Sequence, residues 1–411
     1  MREWTTLANL CIPDGIQTGP FGAQLHQSDY SSEGTPVIMP VDLVDGGVSE
    51  ARIARVSDTH VNRLARYRVR TGDLVYARRG DVGRASLISD DENGWLCGTG
   101  CLKATPDVNK IDSKYLYYLM SQADVIGWLV NHAKGTTMLN LNTGILASVP
   151  LLCESDLAVQ RRIAGVLSAY DGLIENNRKQ IKLLEEAAQR LYKEWFVDLK
   201  FPGHEKTPII NGFPDGWYTG SLLDLADVVR GCSYSSDEIV NGEKTLINLG
   251  NLTPFGGFRF GYAKPYSGKS RDDQAVVKGD VIIGLTEQAA GLAGYAALLP
   301  VIPNNSVISA DLLKLVPHAG VPAVFVYAVL RFGRLSELIS PLANGTKIKH
   351  LRPESLPRAT VLLPSKRLAS DYAELVAPLY DQISICDQRI VTAREARDRL
   401  LPKLMSGEIE V

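Results

Sequence analysis

The stretch YDGLIENNRKQIKLLEEAAQRL (170–191) is echoed near the other end of the chain by YDQISICDQRIVTAREARDRL (380–400). Both open on Tyr-Asp, share an aligned Ile (Ile181, Ile390) and a Glu-Ala pair (Glu186-Ala187, Glu395-Ala396), and close on Arg-Leu. The offset is 210 at the start and 209 at the end. The echo is not confined to helix-like sequence. VIMPVDL (37–43) aligns with LINLGNL (246–252), GDLVYARRG (72–80) with GDVIIGLTE (279–287), and KGTTMLNL (134–141) with NGTKIKHL (344–351). Trp4 and Trp217 stand near the start of the two halves. Markers in one order at nearly constant spacing describe a duplicated unit of about 200 residues, and such periodicity dictates architecture before any other signal.

Each unit divides in two. The first part mixes short β-rich runs, such as Asp73–Ala77 and Val281–Leu285, with Gly- and Pro-containing turns. Residues 113–130 and 321–339 read as single amphipathic helices within these parts. The second part is a long helix. Ile163, Leu167, Tyr170, Ile174, Asn177, Ile181, Leu184, Ala188, Leu191 and Trp195 recur at spacings of four and three, and only Asn177 is not apolar. Val376, Leu379, Ile383, Cys386, Ile390, Ala393, Arg397, Leu400 and Leu404 repeat the pattern, with Arg397 the exception. A seam that returns every 3.5 residues keeps one apolar stripe facing a partner helix, as a coiled coil requires. A polar Asn177 in that seam would fix its register. Trp195 and Phe196 end the first helix and suit packing on the other helix or on a partner protein.

The expected fold is therefore α+β: two globular domains joined and separated by two long helices that form an antiparallel coiled coil, an internal pseudo-two-fold repeat. The boundaries read as a first globule over 1–154, a central helix over 155–200, a linker over 201–216, a second globule over 217–364 and a C-terminal helix over 365–411. A helix over 163–195 at 1.5 Å per residue makes a rod of roughly 50 Å. Such a rod is long enough to hold the two globules well apart.

Composition narrows the function classes. With 45% hydrophobic and 22% charged residues in 411, the chain is ordinary globular protein. Its start carries no secretory pattern, and its longest apolar run (289–302) is too short to cross a bilayer and contains Gly291, Gly294 and Pro300. Six scattered cysteines fit a reduced, cytoplasmic protein, and Cys97 and Cys101 have no second pair or nearby His to complete a zinc site. The net charge is only −2, yet residues 52–84 hold nine arginines against Asp58, Asp73 and Asp81, a local excess of +6. Arginine is the side chain suited to bidentate phosphate and guanine contacts, so this run points to nucleic acid.

Enzyme signatures fail one by one. AKPYSGKS (263–270) has Ala263 where a phosphate-binding loop needs its first Gly. In PDVNKIDSK (106–114), Asp112 reads as a helix cap rather than as half of a nuclease acid pair. GTGCLK (98–103) lacks the remaining glycine of a dinucleotide loop, no Asn-Pro-Pro or Asp-Pro-Pro element of an amino-methyltransferase occurs, and the six histidines show no metal-ligand spacing. No cofactor, no metal and no catalytic residue is expected.

Taken together, these residues resemble the specificity subunits of type I restriction-modification systems, over essentially the whole chain. The resemblance rests on the globule–helix–globule–helix order, on GTTMLNLNTGILASVPLL (135–152) running into AVQRRIAGVLSAYDGLIENNRKQIKLLEEAAQRLYKEWF (158–196), on FPDGW (213–217) and on RDRLLPKLMSGEI (397–409). It implies two target-recognition domains, each reading half of an asymmetric bipartite sequence in double-stranded DNA. It also implies helices that dock two copies of an adenine methyltransferase subunit, and a restriction (motor-nuclease) subunit in the same complex, with no membrane partner. The second globule departs from the first, with IIGLTEQAAGLAG (282–294) where the first has VYARRGDVGRAS (75–86).

Base reading needs side chains on loops that enter a groove, while cations and amides fix register on phosphates. In the first globule the candidates are Gln17 and Thr18 in the loop GIQTGPFG, Arg78 and Arg79 after a strand with Arg84 beyond them, and Lys134, Thr136 and Thr137 around Gly135. In the second they are Ser233 and Tyr234 in RGCSYSS, Thr286, and Lys347 and Lys349 in GTKIKH, while Phe255 and Phe258 read as packing residues. The helix seam supplies the candidates for coiled-coil and partner contact: Ile163, Leu167, Tyr170, Ile174, Asn177, Ile181, Leu184, Leu191, Trp195, Ile383, Ile390, Leu400 and Leu404. Two other classes compete with DNA recognition. One is an enzyme whose site is assembled only in three dimensions, for which binding of S-adenosylmethionine by the isolated chain discriminates. The other is a coiled-coil scaffold whose globules bind proteins, against which salt-dependent DNA affinity would speak.

Overall fold

The computed structural model describes every residue except 22, 23, 45, 46, 136–138, 241 and 347. It forms two compact units, residues 1–174 with 392–411 and residues 175–391. The division falls inside both long helices rather than between globule and helix, because each globule packs against the stretches of both helices that share its unit.

In the first unit the main sheet is antiparallel, in the order 11–18, 101–106, 74–77, 85–87. Leu74–Ala77 is buried at every position because both faces of the sheet are covered. Leu74, Tyr76 and Leu102 pack into a core with two helices, while Val75, Ala77, Ile38 and Cys97 pack on the other side. Strand Arg2–Thr6 pairs antiparallel with Pro150–Glu154, closing the globule just before the central helix. The second unit repeats the plan with strands 226–230, 312–317, 281–284 and 296–298 in the same order, closed by Tyr218–Ser221 on Thr360–Leu363.

The helices expected over 113–130 and 321–339 are each broken. The first becomes Ser113–Met120, capped by Asp112 accepting from the Tyr115 amide at 3.0 Å, and Ala123–His132. At the break the Ser121 hydroxyl donates to the Tyr117 carbonyl at 2.7 Å and Gln122 is extended, a side-chain bond that competes with the helix ladder. Periodicity continues across it because Tyr115, Leu119, Val125 and Leu129 enter one core. In the second unit Ala323–Arg331 and Leu335–Ile339 are separated by Phe332-Gly333-Arg334, with Arg334 left-handed at φ 62°.

The central helix runs Leu157–Tyr192 and passes into a π-turn, Lys193–Val197, while the C-terminal helix runs Lys366–Ser406. Their pairing is antiparallel within each unit. In the first, Arg162 donates to the Val411 carbonyl at 2.8 Å and Arg397 to Asp171 at 2.5 Å. In the second, the Cys386 thiol donates to Gln180 Oε1 at 3.4 Å and the Tyr372 hydroxyl to the Ala188 carbonyl at 3.2 Å. Along the seam Ile163, Leu167, Ile174, Asn177, Trp195, Ile390 and Leu404 are buried, and Tyr170, Ile181, Leu184, Leu191, Ile383 and Leu400 are half-buried. Trp195 and Phe196 face inward onto Tyr372 of the C-terminal helix, at ring separations of 6.1 and 5.1 Å. All six cysteines are free and buried. No helix among the described residues is long and apolar enough to cross a membrane.

Candidate nucleic-acid interface

The two units build the same backbone corner at the end of the central sheet strand. In the first, Arg78 ends the run from Leu74; its amide donates to the Gly100 carbonyl and its carbonyl accepts from the Leu141 amide, both at 2.8 Å. In the second, Leu285 takes the same place, with its amide on the Asp311 carbonyl and its carbonyl receiving the Leu351 amide, both at 2.7 Å. Beside each corner sits a short hairpin. Lys134 and Asn140 exchange backbone bonds at 3.1 and 2.7 Å, as Asn344 and His350 do at 3.0 and 2.9 Å. Each hairpin turns through a glycine at positive φ, Gly135 at 126° and Gly345 at 154°.

What the corners present differs. In the first unit Arg79 is exposed and bridges to Asn140 in the hairpin, next to exposed Lys134. Arg78 is half-buried: its Nε donates to Asn140 Oδ1 at 3.1 Å and its guanidinium lies 4.5 Å from the centre of the Phe21 ring. Burial, and next the charge of Arg79, lower the Arg78 pKa below the ordinary arginine value. Arg78 thus braces the corner and Arg79 and Lys134 project from it. Arg84 is turned to Asp81, which accepts from it at 2.9 and 3.0 Å, so much of its charge is already answered. Thr136 and Thr137 lie outside the described residues.

Gln17 and Thr18 are not in a loop. They end strand Cys11–Thr18, with Gln17 opposite Lys103 and Thr18 opposite Leu102. The Gln17 amide donates to the Asp14 carbonyl at 2.7 Å. The turn begins only at Gly19, where an added Cβ would stand 2.0 Å from the Gly98 carbonyl oxygen.

In the second unit Thr286 is 3% exposed and its hydroxyl donates to Asp311 at 2.7 Å, so it holds the corner instead of offering a contact. Thr286–Glu287 pairs with Lys349–His350, which leaves the Lys349 side chain exposed. Lys347 lies outside the described residues. Ser233 and Tyr234 are exposed beyond the strand Ala226–Arg230, Phe255 is exposed, and Phe258 packs against a core. The sequence reading missed Phe21 and Asn140 as supports for Arg78; their only signal was closeness to the Gly-Pro turn and the Gly-Thr loop. Among the described residues no group of three His, Cys, Asp or Glu side chains could hold a metal.

Residues 23–186 match the family model described as the type I restriction modification DNA specificity domain. The chain is 27% identical over 352 residues to the type I restriction enzyme MjaIX specificity subunit of Methanocaldococcus jannaschii, covering 83% of this chain and 78% of that one. It is 21% identical over 390 residues to a putative MjaX specificity subunit of the same organism, covering 92% and 88%. Over most of its length the chain is thus similar to type I restriction-modification specificity subunits. The crystal structure of an S subunit from M. genitalium shares the fold over 98% of this chain and 96% of that one, with a TM-score of 0.57 and 17% identity.

Proposed function

We infer that this specificity subunit reads an asymmetric, two-part sequence in double-stranded DNA and brings adenine-methyltransferase subunits, in two copies, and a restriction subunit to it. Each globule reads one half, and the two long helices serve as spacer and as docking surface for the methyltransferase. The observation that carries the reading is the repeated corner with changed side chains. One backbone frame presents Arg78-Arg79 in the first globule and Leu285-Thr286 in the second. Two copies of one frame that differ in the groups able to touch a base suit two different half-sites. Arg79 and Lys134 in the first globule and Lys349 with Ser233 and Tyr234 in the second are the residues assigned to DNA.

The test is a methylation map of DNA from cells that co-express this chain with its methyltransferase partner. An asymmetric two-part motif with a fixed gap is the expected result. Replacing residues 1–154 by the corresponding domain of another family member should change one half of the motif only. A soluble complex that yields no new motif would favour a scaffold role instead.

A further inference from the structure

The run of nine arginines does not converge on the corner that carries Arg79. Arg55 pairs with Glu50, Arg63 with Asp29 and Arg84 with Asp81. Arg66, Arg68 and Arg70 instead line a separate cleft of about 470 Å³, whose walls also include Gln17, Asn93 and Lys103. Among the described residues none of these four cations has a carboxylate within 4.0 Å. Lys103 is only 7% exposed, in the middle of strand Cys101–Pro106, and its ammonium donates to the Arg68 carbonyl at 2.7 Å. Opposing charge comes from Asp14 on the rim and from buried Asp73, which accepts from the Arg70 amide at 2.9 Å. Four cations against two carboxylates leave an excess of two positive charges around one concavity.

Like charges gathered beside a low-dielectric wall repel one another, and an anion held among them removes that cost. The wall has unmet hydrogen bonding as well. Arg68 Nε and Gln17 Oε1 are buried and without hydrogen-bond partners among the described residues, an arrangement that folded proteins rarely leave unfilled. Both belong to side chains lining the cleft, where Arg68 Nη2 also donates to Asn62 Oδ1 at 3.2 Å. Guanidinium forks match the paired oxygens of a phosphate, and the cleft volume falls in the range of small-ligand sites. We propose that the cleft formed by Arg66, Arg68, Arg70 and Lys103 is a phosphate-binding site, distinct from the corner of Arg79 and Lys134. Its phosphate comes from a DNA backbone or from solution; only the first source rests on the DNA-reading function above.

The experiment compares the full chain with an Arg66→Ala/Arg70→Ala variant in two titrations. Both side chains are exposed, and an Arg66→Gln/Arg70→Gln variant replaces the first if that one fails to fold. Duplex DNA affinity is followed against salt concentration, and inorganic phosphate binding is followed by calorimetry. A log–log salt slope reduced by about one to two in the variant, with the matching loss of affinity, assigns the cleft to backbone phosphates. An unchanged slope, together with saturable phosphate binding that the variant loses, assigns it to free phosphate. Parent protein that binds phosphate in this way but no DNA would keep the cleft and sink the DNA-reading function. Parent and variant alike in both titrations would overturn the proposal.

Discussion

Asp387 offers the sharpest test of the helix pairing in the second unit. It lines a cavity of about 330 Å³ with Glu185, Arg331, Tyr380, Asp381 and Ser384. The other acids there are answered: Lys278 meets Asp381 at 2.6 Å and Arg331 lies 3.7 Å from Glu185. Asp387 has no ion pair among the described residues, and burial, followed by the charge of Glu185, pushes its carboxyl from 3.8 to about 6. A carboxyl raised in the folded state holds its proton longer there than in the unfolded chain. Its favourable contribution is therefore present below pH 3.8 and is lost as the pH rises through about 6. The gap of about two pH units is worth at most about 3 kcal/mol. Sharing of charge with Glu185 reduces that, so Asp387→Asn is expected to stabilise the protein by about 1–3 kcal/mol at pH 7.5. Urea unfolding followed by circular dichroism at a series of pH values measures it. The gain should be small near pH 4, grow through pH 5 and level off above about 6.5. A gain equal at pH 4 and 7.5 would mean that packing rather than ionisation is responsible. A loss at pH 7.5 would refute the reasoning outright.

Arg397, the one charged member of the C-terminal seam, is 14% exposed and holds Asp171, which also accepts from the Tyr118 hydroxyl. Because Asp171 is 32% exposed and Arg397 keeps Asp398 at 2.9 Å, Asp171→Ala should cost about 1–3 kcal/mol rather than the full cost of breaking a buried pair. A double-mutant cycle with Arg397→Ala should return a coupling of about 1 kcal/mol or more, and additive losses would remove the pair from the account of stability. On the DNA side, Arg79→Ala should weaken binding and lower the salt slope by about one with little change in stability, because the side chain is exposed. Unchanged affinity and slope would withdraw the corner from the interface. The chain ends belong to one unit, where Arg2 donates to the Met405 and Leu404 carbonyls at 2.7 and 3.0 Å. A permutant that joins the ends and opens at His204–Lys206 should fold with the parent's circular dichroism spectrum; insolubility beside a well-behaved parent would count against the antiparallel pairing.

Much of the architecture was legible because it depends on pattern over long windows. Seam spacing over some 30 residues specifies a paired helix whatever the neighbours are, and the repeat requires that whatever one half folds into, the other approximates. The breaks at Ser121-Gln122 and Gly333-Arg334 were not legible from the apolar spacing. Core burial continues through both, so the apolar pattern carries no trace of the interruption. A serine hydroxyl returning to the Tyr117 carbonyl and one left-handed residue are local events, decided by tertiary fit.

The site shows the opposite balance. That Arg78 follows a strand and precedes Gly80 could be read directly, but which of Arg78 and Arg79 is free could not, because the answer lies in Asn140 and Phe21, brought in from distant segments. Thr286 shows the same effect in reverse. It occupies the place of Arg79, yet Asp311 captures its hydroxyl and the fold covers it. Alignment of the halves therefore transfers backbone roles and not side-chain roles: the amide and carbonyl of residue 78 and of residue 285 are held alike, while the projecting groups are not. The proposed recognition role gives a physical reason for this. Backbone bonds at the corner keep the sheet and hairpin together and tolerate almost any side chain, so readout residues can change without loss of the frame that aims them. The contacts of the second half must then be found from its own geometry, beginning with Lys349 on the hairpin and the exposed Ser233-Tyr234 pair, and not by projecting Arg79 onto it.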